Sequence, residues 1–173
     1  MKNKPVLYII IPCYNEEKVL PITAPLFKQE IMKLINRNII SVKSKIMFVN
    51  DGSKDGSADI ARAYEKKYPQ TVVFVDKENG GHGSTINVGI EKAQGTYFKV
   101  LDSDDWVNIG DFIEFVKRLK EETADAVICD YRKEHVYNGK SEYFEYKDLE
   151  DGKKYNLNEI DLKILHGEYF MMA

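Results

Sequence analysis

The chain has 173 residues, 43% hydrophobic and 31% charged, which suits one packed domain with a substantial core and is short for two. Its 25 Lys and Arg against 28 Asp and Glu leave a formal charge of -3, and no long basic run interrupts the mixture, which argues against non-specific nucleic-acid binding. Cys13 and Cys129 sit in apolar stretches and read as buried reduced thiols, so a cytoplasmic setting is expected. The apolar run Val6 to Ile11 is too short for a signal h-region or a membrane span, and no span is expected in the chain.

Val6 to Ile11 is rich in β-branched residues and predicts a strand covered on both faces, ended by Pro12. Asn15 is placed to cap a helix that Glu16 and Glu17 open and that runs towards Arg37, with Pro21 and Pro25 disturbing its first turns. Ile46 to Val49 is a second strand, Ser57 to Tyr68 a helix ended by Pro69, and Thr71 to Val75 a third strand. A glycine-rich turn at Gly80, Gly81 and Gly83 opens a helix to about Ala93, and Tyr97 to Leu101 is the fourth strand. Asp111 to Glu122 is again helical and Ala126 to Cys129 again extended. Beyond Tyr131 an Asn138-Gly139 turn between Val136-Tyr137 and Tyr143-Phe144 predicts a hairpin.

Strands alternating with helices predict an α/β three-layer sandwich with a mainly parallel central sheet, because parallel neighbours need crossover connections. Ligands of such sheets gather beyond the carboxyl ends of the strands. There the chain places Pro12-Cys13-Tyr14-Asn15-Glu16, Asn50-Asp51-Gly52-Ser53, Asp76 to Gly81, and Asp102-Ser103-Asp104-Asp105, four polar loops on one edge. Residues 1–130 are expected to form the binding core and residues 131–173 a hairpin-containing flanking region, the start of a truncated acceptor-side part.

Three carboxylates within the four residues Asp102 to Asp105 repel one another unless a cation relieves them, and hard oxygen ligands suit Mg²⁺ or Mn²⁺ shared with substrate phosphates. The plain alternative is a solvated acidic turn in which one Asp caps the helix after Trp106. Asp51 stands at a strand end, where its carboxylate can accept hydrogen bonds from a base, whereas Asp55 and Ser57 read as helix-cap residues. Asn79-Gly80-Gly81-His82-Gly83-Ser84 lets backbone approach a phosphate and aims helix amides at it, although a glycine turn capped by Ser84 explains it equally well. No nucleophile signature accompanies Cys13.

Taken together, Ile10 to Glu16, Val49 to Ser57, Asn79-Gly80-Gly81, Asn87 to Gly95 and Leu101 to Asp105 closely resemble the successive motifs of family 2 glycosyltransferases, in order and spacing, from about Val6 to Val107. The resemblance implies a GT-A fold and inverting, hexosyl-type transfer from a nucleoside-diphosphate sugar, with Mg²⁺ or Mn²⁺ bridging the diphosphate. It also implies a saccharide or lipid-linked acceptor and a place in cell-surface polysaccharide synthesis, in the cytoplasm or at the inner face of the membrane. By the same resemblance Pro12, Tyr14 and Glu16 line the nucleoside pocket, and Asp51 contacts the base. Asn79, Gly80, Gly81, His82 and Ser103 join the donor site. Asp102 and Asp104 form the DxD element, with Asp104 the first metal ligand and Asp102 reaching ribose or metal-bound water.

Two departures stand out. Thr85-Ile86-Asn87 replaces the Ala-Arg-Asn of many members, removing a cation that Lys77 or His82 would have to replace. The acceptor-activating carboxylate has no clear match after Val107, since Glu134, Glu142 and Glu168 read as solvated, so the isolated chain is expected to bind donor and transfer poorly. A nucleotidyltransferase is the competing enzyme class, but its glycine-rich basic loop should follow the first strand. A non-enzymatic nucleotide- or metal-binding module, such as a phospho-acceptor domain, should carry its acidic pair there.

Overall fold

The computed structural model describes residues 4–156, 158–159 and the backbone of 170–172. The elements run β1 (Leu7–Cys13), α1 (Leu20–Asn36), β2 (Lys45–Asp51), α2 (Ser57–Lys67), β3 (Val72–Lys77), α3 (His82–Lys92) and β4 (Tyr97–Val100). They continue with α4 (Ile109–Leu119), β5 (Ala126–Ile128), β6 (Tyr131–His135), β7 (Lys140–Phe144) and β8 (Phe170–Met172).

Strand order in the main sheet is β3-β2-β1-β4-β8-β5. The β1–β2, β1–β4 and β2–β3 pairs are parallel, and β8 is antiparallel to both β4 and β5. Every residue of β1 is buried, as its unbroken apolar run requires of a strand covered on both faces. Leu7, Ile9 and Ile11 join α1, α2 and α4 in one cluster, which includes Leu20, Phe27, Ala61, Phe112 and Val116. Tyr8 and Ile10 face the other way, where Val88 and Ala93 at α3 close a second, smaller core. The result is the expected three layers with four consecutive polar loops on one edge. The β6–β7 hairpin forms a separate two-stranded sheet, with Tyr131 and Phe144 stacked 4.8 Å between ring centres.

Several local expectations change. Pro12 does not end β1, which continues to Cys13 because Pro12 lies opposite Val49 in a parallel ladder near the strand's end. Asn15 does not cap α1. Its backbone is left-handed (φ 57°), and its side chain accepts a 2.8 Å hydrogen bond from the Lys54 N–H, so it is committed to the neighbouring loop. The helix starts at Leu20, with Pro21 where a missing N–H costs nothing. The cap of α4 is Asn108, which accepts from the N–H groups of Gly110 and Asp111, rather than an aspartate of the acidic turn. Strand β8, at Phe170–Met172, lies inside the six-stranded sheet and had no counterpart in the sequence reading.

Candidate active site

Parallel pairing brings the loops after β1, β2, β3 and β4 to one edge, and hydrogen bonds lock them together in pairs. Between the first two, the Asn15 N–H donates to Ser53 Oγ at 3.0 Å and the Glu16 N–H donates to Ser57 Oγ at 2.6 Å. The Gly56 N–H donates to Glu17 at 2.8 Å. Asp55 accepts from both the backbone and the hydroxyl of Ser57. Pro12 is buried at the root of this arrangement, Glu16 is half-buried, and Tyr14 stands 50% exposed above it. Cys13 is buried, and burial, then the Glu16 charge, push its thiol up to about 12, so it is chemically inert.

The second and third loops meet at Asp51. Asp51 and Lys77 are register partners across β2 and β3, which puts their side chains on one face. Lys77 Nζ donates to Asp51 Oδ1, to the Glu78 carbonyl at 2.6 Å and to Ser84 Oγ at 3.0 Å. The N–H groups of Gly80 and Gly81 donate to Asp51 Oδ1 and Oδ2, each at 2.9 Å. Burial alone would raise the Asp51 pKa, but hydrogen bonds from Lys77, Gly80 and Thr85 and the Lys77 charge hold it below the ordinary carboxylate range. The Asp51 carboxylate, read from sequence as a partner for the base, thus already has backbone partners and pins the glycine turn to the end of β2. Lys77 is likewise engaged inside the protein rather than left open for a diphosphate. Gly52, at φ +66°, has its α-carbon so close to the third loop that a Cβ would lie 2.7 Å from the Asn79 nitrogen.

That turn delivers the start of α3. Asn79, Gly80 and Gly81 are exposed, and Gly81 (φ 85°) passes into the helix that His82 begins, without a side-chain cap. The first N–H groups of a helix have no partner within it and attract anions. His82 extends from this position towards the fourth loop, where its Nε2 lies 3.9 Å from Asp102 Oδ1, with both side chains substantially exposed. Ser103 is buried, Asp104 is exposed, and the Asp105 N–H closes the turn on the Asp102 carbonyl at 3.1 Å.

The structure thus brings Asp51, Gly80 and Gly81 together and sets His82 facing Asp102. Among the described residues no three His, Cys, Asp or Glu side chains converge to form a complete metal cage. Two hard carboxylates on one exposed turn fit an ion that draws its remaining ligands from phosphate and water. Glu134 and Glu142 lie on the separate hairpin, and Glu168 lies outside the described residues. The sequence reading gave Lys77 no structural part and Ser84 only a capping one, although an Asp and a Lys at the ends of adjacent strands were a usable signal for the ion pair.

The family model described as Glycosyl transferase family 2 matches residues 8–172. The minor teichoic acid biosynthesis protein GgaB of Bacillus subtilis is 38% identical over 104 residues, 60% of this chain and 11% of its own. The poly(ribitol-phosphate) beta-glucosyltransferase of Bacillus spizizenii is 32% identical over 121 residues, 69% of this chain and 18% of its own. The mannosyltransferase PcManGT of Pyrobaculum calidifontis, solved with GDP-Man and Mn²⁺, matches with TM-score 0.55 and 25% identity over 73% of this chain and 35% of its own. The chain therefore spans well under half the length of each of these proteins.

Proposed function

This chain belongs to glycosyl transferase family 2, an enzyme family of GT-A fold, and from that premise we propose that it holds the donor for an inverting, divalent-ion-dependent sugar transfer. The donor is a nucleoside-diphosphate sugar. The acceptor is a hydroxyl of a saccharide, polyol-phosphate or lipid-linked intermediate of a cell-surface polymer, in line with what the names of GgaB and the poly(ribitol-phosphate) enzyme say of those proteins. We place the reaction at the cytoplasmic side of the membrane. Among the described residues no helix is long and apolar enough to cross one.

The observation that carries this reading is the approach of His82 to Asp102 across two loops, at the start of α3. A diphosphate bound over this edge has helix amides and an imidazole on one side and the acidic turn on the other. Two anionic groups, carboxylates and diphosphate, become compatible there only through a cation, so Asp104 and Asp102 would hold Mg²⁺ or Mn²⁺. When bound, that ion neutralises the charge that builds on the departing diphosphate. His82 and the first turn of α3 orient the phosphate oxygens, Ser103 keeps the acidic turn anchored, and Pro12, Tyr14 and Glu16 flank the nucleoside. Asp51 acts by fixing Asn79, Gly80 and Gly81 and so the entry to α3, and any contact it makes with the base adds to that. Inversion follows when the acceptor hydroxyl attacks the anomeric carbon opposite the breaking bond to diphosphate, with its proton passing to a base. No carboxylate among the described residues is assigned that last role.

A thermal-shift panel of UDP-, GDP- and dTDP-sugars, each with and without Mn²⁺, tests the proposal. One donor set should raise the melting temperature in Mn²⁺ and lose most of that effect in chelator. No shift with any donor would overturn it.

A further inference from the structure

Two charged side chains are buried among the described residues, Asp51 and Lys99, and the donor site accounts only for the first. Lys99 stands on β4 opposite Ile9 of β1, so it faces the layer of α1 and α4, where the alternation of the strand calls for an apolar residue. A lysine there is costly to bury unless a partner compensates its charge. The space around it is a cavity of about 270 Å³. Phe27 and Ile31 of α1 line it together with Leu101 and Phe112, Glu30 of α1 borders it with its carboxylate paired to Lys33, and both Asp104 and Asp105 of the acidic turn reach its rim. One carboxylate oxygen of Asp105 is fully buried, whereas Asp104 next to it is exposed. Burial pushes the Lys99 ammonium down, and the charges of Cys129 and Asp105 act in the opposite direction.

We infer that Lys99 is a positioning residue for the acidic turn, holding the Asp105 carboxylate inside the cavity so that Asp102 and Asp104 are presented outward. The inference rests on the donor-site reading above for what Asp102 and Asp104 then do. Three carboxylates in four residues have no common preferred direction, and a cation beneath the turn separates one from the other two. The Asp105 N–H, bonded to the Asp102 carbonyl, transmits this to the backbone of the pair. Lys99 touches neither donor nor ion. It acts through Asp105 in the way that outer-shell groups orient ligands.

The test uses the full chain with Lys99→Met, Asp105→Asn, their double variant and Lys99→Arg. Without metal, hydrogen exchange of the Asp105 amide should be about tenfold faster in Lys99→Met and in Asp105→Asn, no faster in the double variant, and near wild type in Lys99→Arg. Calorimetry with Mn²⁺ plus UDP and Mn²⁺ plus GDP should show about ten- to a hundredfold weaker metal-dependent binding in the first two variants. Unchanged exchange of the Asp105 amide in Asp105→Asn overturns the inference, even if Lys99→Met does not fold. Absence of Mn²⁺-dependent nucleotide binding in the wild type instead overturns the donor-site reading, and the metal-free exchange still decides the part played by Lys99.

Discussion

Asp51 ends β2 with its carboxylate turned into the protein, where it accepts a 2.9 Å hydrogen bond from the Gly81 N–H. With the Gly80 N–H and Lys77 on the same carboxylate, this residue joins the second and third strands to the turn that opens α3. Asp51→Ala leaves two amides and an ammonium without their partner, which should destabilise the fold by about 3 kcal/mol. Urea unfolding measures that loss. Nucleotide affinity of the folded fraction should also fall, because the glycine turn is released, and a stable variant with normal affinity would contradict this account of the turn.

The same carboxylate gives stability a defined acid limb. The Asp51 pKa lies below its unfolded value of about 3.9, and burial against Ser57 hydrogen bonds leaves Asp55 shifted the same way. The stability both contribute is present above the unfolded value and is lost as pH falls through the lower folded values. Urea melts from about pH 6 to about pH 3 should show wild type losing stability over the lower part of that range. Asp51→Asn, already without the charge, should lose less over the same interval.

The placement of α3 depends on Gly89, where a Cβ would lie 2.5 Å from Ile10 Cγ2 in the fully buried centre of β1. Gly89→Ala should cost about 1–3 kcal/mol through overpacking, despite alanine's better helix propensity. Ile10→Ala removes the clashing methyl, so the double variant should be more stable than the sum of the single losses predicts. Additive losses would mean that the helix shifts freely and does not hold its start at a fixed height over the sheet.

His82 should act on the phosphates and not on the nucleoside. His82→Ala is expected to weaken binding of the matched nucleoside diphosphate roughly ten- to a hundredfold, the size of one hydrogen bond to a charged group, and to leave the nucleoside unaffected. Paired titrations of UDP with uridine and GDP with guanosine measure the difference. Equal weakening for nucleoside and diphosphate would move His82 away from the phosphates.

The order of strands and helices from β1 to α4 was legible because the strands are mostly apolar runs and two of the helices carry their own stop signals, Pro69 after α2 and Gly95 after α3. The four loops were legible for the same reason, since polar residues directly after buried strands have one edge to occupy. Strand β8 was not legible. Three residues paired antiparallel between β4 and β5 are set by long-range pairing, which leaves no local period in Phe170-Met171-Met172. Asn15 has a cap residue's chemistry, yet Lys54, far along the chain, claims its side chain. The chemistry of Asp51 was read from its place at a strand end, but its partners depend on the fold of the glycine turn, which sequence spacing does not specify. Lys99 reads as one more lysine until β4 is set between its neighbours and its face is known.

Calorimetric titration of UDP and GDP into the chain, in Mn²⁺ and in chelator, with wild type and Asp104→Ala, bears most directly on the proposal that Asp102 and Asp104 hold the donor through a divalent ion. Wild type should bind one of the two nucleotides at least about tenfold more tightly in Mn²⁺, since a diphosphate otherwise meets the acidic turn unscreened. Asp104→Ala should abolish that difference and leave the melting temperature within a few degrees, as its side chain is exposed. Equal affinity in Mn²⁺ and chelator, or a metal effect of full size in Asp104→Ala, would contradict it.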